Sequence, residues 1–86
     1  MTITNVFMKS IVNRQLYHIN LLMNQMNNHD YESARSTLVN MNNHIKSDLL
    51  VARQMYFKSK CTESGIFFSE CLEYKTKINK FYSKLM

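Results

Sequence analysis

The sequence predicts an all-α fold, an elongated antiparallel three-helix hairpin or bundle with helices at about 3–27, 31–61 and 64–85. Three observations point there. The chain has no proline and a single glycine in 86 residues, whereas tight hairpins, sandwiches, dinucleotide folds and phosphate loops lean on both. Hydrophobic residues make up 45% against 20% charged, enough apolar side chain for a core. Apolar residues recur at alternating spacings of three and four along three segments, separated by two short polar breaks. The length suits one helical domain over residues 1–86.

In the first segment Met8, Val12, Gln15, Ile19, Leu22 and Met26 share one stripe. Phe7, Ile11, Leu16 and Met23 widen it to about half the circumference. Ile3, Val6, Tyr17 and Leu21 fall on the opposite side, among Asn13, Asn24 and Asn28. Four apolar residues on one polar face exceed ordinary surface scatter and mark a candidate protein-binding face. Nine of the ten asparagines lie at or before Asn43. Asparagine is a mediocre helix former, so this half holds its helices by packing more than by propensity.

The first break is Asn27-Asn28-His29-Asp30. Asparagine tolerates left-handed backbone, and Asp30 is a natural N-cap with Glu32 inside the next first turn. So short a connection makes the flanking helices antiparallel neighbours. In the second segment Tyr31, Ala34, Leu38, Met41, Ile45, Leu49, Ala52 and Tyr56 keep one phase. Val39, Leu50 and Phe57 form a second apolar line, an alternative binding surface and a reason to place this helix centrally, between two neighbours. Thirty residues reach about 45 Å, long beside the radius of gyration of about 12 Å expected of a compact chain this size. Three resolutions are open: an elongated molecule, a break near Asn42-Asn43, or a partner covering the overhang. The apolar phase crosses the asparagines undisturbed, which favours a continuous helix.

The second break, Cys61-Thr62-Glu63-Ser64-Gly65, offers Gly65 for positive φ and Thr62 as a cap. Beyond it Phe67, Cys71, Tyr74, Ile78, Phe81 and Leu85 form the most regular stripe. Glu73, Lys77, Lys80 and Lys84 lie opposite, with Glu73 and Lys77 an i,i+4 pair of favourable polarity.

Eleven basic against six acidic residues give a net charge of +5, compatible with nucleic acid, an anionic membrane surface or an acidic protein. Lys77, Lys80 and Lys84 are the candidate anion or nucleic-acid contacts, and with them the chain reads alternatively as a basic dimeric transcriptional regulator. Against that stand only three scattered arginines, Arg14, Arg35 and Arg53, where guanine reading favours arginine. Glu70 and Glu73 dilute a membrane-surface reading, and no apolar run is long enough to span a bilayer.

No catalytic, metal-binding or cofactor-binding residue is assigned. His18, His29 and His44 with Cys61 and Cys71 match no zinc spacing. No His-Glu metal motif, nucleophile elbow or glycine-rich loop occurs. Both cysteines read as buried small apolar residues, and the start of the chain does not resemble a secretory signal, so a reducing cytoplasm is expected.

His29-Asp30-Tyr31-Glu32-Ser33-Ala34, followed by Leu38 and Met41, resembles the turn and second helix of a tetratricopeptide repeat. Upstream, His18, Leu22 and Gln25 stand where that family has tryptophan, glycine and tyrosine, and no second copy follows. The resemblance implies a tight helical hairpin. The whole is similar in architecture to small bacterial chaperones and adaptors, including those of secretion systems, that hold apolar segments of other proteins between helices. The functional expectation is a non-enzymatic helical adaptor, chaperone-like or regulator-sequestering, that binds another protein and forms homo-oligomers. Its seven methionines supply soft contact surface.

Overall fold

Asn5 closes the first turn of helix α1 (Val6–Asn27) by accepting a hydrogen bond from the Met8 N–H at 3.1 Å. That cap starts the helix three residues later than its apolar pattern suggests, because Ile3 and Thr4 run on outside it. The structure is a computed structural model describing residues 3–86. Asp30 caps α2 (Tyr31–Lys58) through the Ser33 N–H, as expected, with Glu32 in the first turn. The left-handed residue of the intervening turn is His29, at φ 57°, and not an asparagine. Its ring Nδ1 lies 3.0 Å from the Tyr31 hydroxyl, a local bond that helps hold the turn.

The second turn departs further from expectation. Helix α2 stops at Lys58 instead of 61, and α3 (Thr62–Leu85) starts two residues early with Cys61 as its N-cap. Cys61 and Ser64 form a capping box in which each side chain accepts from the other's backbone N–H. The Ser64 hydroxyl also lies 2.7 Å from the Ser59 carbonyl, so a buried serine ties the turn together. Gly65 therefore sits inside the helix with negative φ, and its conformational freedom is not used.

Helix α2 continues through Asn42-Asn43 without a break. The Asn42 carboxamide accepts a hydrogen bond from Lys75 Nζ at 2.9 Å, so this asparagine ties α2 to α3 and does not interrupt the helix. Twenty-eight residues at 1.5 Å span about 42 Å, matching the long axis of a 42 × 20 × 16 Å molecule with a radius of gyration of 13.7 Å. The molecule is thus elongated, and α1 and α3 run beside most of α2. Length alone leaves little overhang to cover.

The core is a single cluster built on Met8, Ile11 and Leu22 of α1, Leu38, Met41 and Ile45 of α2, and Phe67, Cys71 and Ile78 of α3. Helix α2 is central, with its closest packing on α3, and α1 touches α3 least. It reaches both neighbours from one broad stripe, while Val39, Leu50 and Phe57 face outward. Helix α1 presents a narrower core face than its pattern suggests. Phe7, Leu16 and Met23 are about half exposed, because the flank of α1 beyond Val12 and Ile19 meets only the edge of α3.

Candidate interaction surface

A polar node crosses the middle of the bundle. Asp48 of α2 is buried and pairs with the Arg14 guanidinium of α1. Gln15, on the same α1 stripe as the core, reaches Asp48 Oδ2 at 3.3 Å and lies 3.6 Å from Cys71 Sγ of α3. The Tyr74 hydroxyl, buried nearby, has no partner. Burial pushes its phenol up to about 12, outweighing the help of Arg14. Burial likewise raises the Cys71 thiol. These groups tie the three helices together, and Gln15 and Tyr74 also reach the lining of a hollow between α1 and α3.

Cys61 behaves differently from Cys71 and from its expected burial. It is exposed at the start of α3, and the Ser64 hydroxyl and N–H lower its thiol below the usual range. The neighbouring Glu63 carboxylate accepts the backbone N–H groups of Asn5 and Thr4, with Thr4 Oγ1 at 3.1 Å. The Asn5 N–H bond in particular holds that carboxyl below its ordinary value. This latch joins the start of α1 to the start of α3. His18 and His44 stack across α1 and α2 with ring centroids 5.8 Å apart, and burial, then His44 and Arg14, lowers the His18 value. Among the described residues no group of three His, Cys, Asp or Glu side chains gathers as a metal site would require.

The remaining candidate is surface. Val6 and Tyr17 are 83% and 63% exposed on the outer face of α1, as their spacing anticipates. Leu21 is half-buried, and Ile3 packs against the core cluster, so this face is smaller than the sequence pattern implies. On α2, Leu50 and Phe57 are 58% and 59% exposed and Val39 also faces outward. They run along one side of the helix beside Arg53, whose guanidinium lies 5.7 Å from the Phe57 ring centroid. Lys77, Lys80 and Lys84 all lie on the exposed edge of α3.

The sequence reading misses a third surface. Because α1 and α3 run parallel with little contact, a groove opens between them. Val12, Leu16, Ile19 and Met23 line its α1 side. Glu70, Glu73, Lys77, Lys80 and Phe81 line the α3 side, and the groove gathers Lys84 at its far end. Leu16 is 56% exposed there. A periodicity argument assigns Leu16 and Met23 to the core because it sees which residues share a face. It does not see where the third helix stops covering that face.

No helix among the described residues is long and apolar enough to cross a membrane. Compared with known proteins, the chain matches no family model, no curated protein and no solved structure. What remains of the tetratricopeptide likeness at 29–41 is the tight α1–α2 hairpin itself.

Proposed function

We propose that this chain is a small, non-enzymatic helical adaptor that works in the cytoplasm, binding another protein through apolar helix faces and associating with itself. The observation that carries the reading is the outward line of Val39, Leu50 and Phe57 on α2, three large apolar side chains in one phase that the core does not use. Val6 and Tyr17 add a second such patch on α1. Contiguous exposed apolar patches mark sites of interaction, and aromatic anchors carry much of the energy of protein–protein contacts. A chaperone-like or regulator-sequestering role fits a partner helix laid along α2.

The experiment is affinity capture from native lysate with the wild type and with Leu50→Glu/Phe57→Glu. A protein should be retained by the wild type and lost from the variant, whose helical content and melting temperature stay close to wild type because neither side chain supports the core. Unchanged retention by that variant and by Tyr17→Glu contradicts it.

A nucleic-acid reading has one observation behind it, the gathering of Lys77, Lys80 and Lys84 at one end of the groove. Glu70 and Glu73 stand on the same edge of α3, so a phosphate backbone following the groove would meet two carboxylates. The protein-binding reading is therefore preferred. Steeply salt-dependent DNA binding that weakens when the three lysines are neutralised would reverse that order.

A further inference from the structure

The groove between α1 and α3 is a run of three adjoining hollows that share Val12, Leu16, Ile19, Glu70 and Lys77 along their lining. Its floor is apolar, with Leu16, Ile19 and Met23 open to it, and from Ile66 to Lys84 it runs about 27 Å at the helical rise. What singles it out is the charge along its α3 edge. Glu70, Glu73, Lys77 and Lys80 follow one another at spacings of three, four and three. Read from the opposite end with the signs exchanged, the pattern is the same. An edge of that kind is complementary to itself only when turned end to end.

We infer that the occupant of the groove is a second copy of this chain, docked antiparallel about a twofold axis that passes between Glu73 and Lys77. The inference deepens the self-association part of the functional reading and does not depend on the α2 face. In this arrangement Glu70 faces the partner's Lys80 and Glu73 faces the partner's Lys77, and the symmetry repeats both pairs. The axis falls where Leu16 and Ile19 line the groove beside Glu73 and Lys77, so apolar side chains meet at the centre with charges around them. A parallel pairing would set each carboxylate and each ammonium against its own copy. Within one chain these four charges are free to do this: Arg14–Asp48 is the one ion pair among the described residues, and it is elsewhere. Stable interfaces bury about 800 Å² per partner, a modest part of the chain's 5673 Å² surface.

The test is a charge-exchange series read by sedimentation equilibrium, with folding checked by circular dichroism. Wild type is expected to dimerise, more weakly at high salt. Glu70→Lys/Glu73→Lys and Lys77→Glu/Lys80→Glu are each expected to raise the dissociation constant at least tenfold. Mixed one to one, these two variants should form a heterodimer, which a merely damaged fold cannot do. The chain carrying all four exchanges keeps the wild-type net charge, and it should dimerise with itself and not with wild type.

Wild type that stays monomeric to millimolar concentration overturns self-association altogether and leaves the groove to a different chain. Dimers indifferent to the exchanges, or variants that fail to recover on mixing, overturn this interface while self-association stands. In either case the α2 face is judged separately, by the Leu50 and Phe57 variant.

Discussion

Asp48 is the residue on which the three helices agree. Its carboxylate takes the Arg14 guanidinium and the Gln15 amide, and Gln15 in turn reaches Cys71. Asp48→Ala should cost about 1–3 kcal/mol in urea unfolding, the price of leaving polar partners unpaired. The upper range for fully buried pairs does not apply, because the Arg14 side chain keeps 33% of its exposure and water can compensate it. The double change Arg14→Met/Asp48→Leu should cost less than Asp48→Ala alone; a larger cost would mean that the pair itself holds the register. Part of this node is legible in the sequence, since Gln15 stands on an apolar stripe where only a satisfied polar group belongs. Asp48 is not, because its burial depends on Arg14 arriving from thirty-four residues away. The two cysteines divide for the same reason: Cys71 lies on a stripe and is buried, while Cys61 is recruited as a cap by a serine three positions on.

At the scale of the element, helix existence and phase follow from periodicity, and helix ends follow from capping chemistry that periodicity does not see. Asp30 is recognisable because its side chain and the following Glu32 make a common start signal. Cys61 is a rare cap, and the lone glycine nearby attracts a turn assignment that properly belongs to the capping box. Gly65→Ala discriminates these accounts. A Cβ at this position would meet Tyr56 ring carbons at 3.6 and 4.0 Å, ordinary contact distances. Inside a helix the substitution should then stabilise the protein by about 0.5–1 kcal/mol. A Gly65 needed for left-handed backbone would give a loss of at least that size. Thermal or urea unfolding reads the sign directly. Asn42 carries the same lesson from the other direction: a poor helix former is retained in mid-helix because its carboxamide receives Lys75 from α3.

At the scale of the molecule, all-α architecture, antiparallel order and an elongated shape are legible in composition and spacing alone. The open groove is not. It arises because α1 and α3 each lean on α2 more than on each other, which is a property of three packed helices and of no one segment. Leu16 and Met23 read as core when α1 is considered alone and become surface once α3 is in place. From spacing alone the charge pattern on α3 reads as a solvated face with an i,i+4 pair, which does not close among the described residues; its end-to-end self-complementarity acquires meaning only beside an apolar floor. The most direct measurement of that central claim is an intermolecular distance by pulsed electron spin resonance, with a nitroxide on Lys84→Cys in a Cys61→Ser background. Serine preserves the α3 cap, and buried Cys71 stays unlabelled. An axis between Glu73 and Lys77 sets each position 84 level with the partner's position 66, eighteen residues away along α3, so labels should lie about 30 Å apart, from a rise of about 27 Å with the lateral offset of packed helices. A separation under about 20 Å, which side-by-side parallel helices would give, or no dipolar coupling at all, would contradict the account.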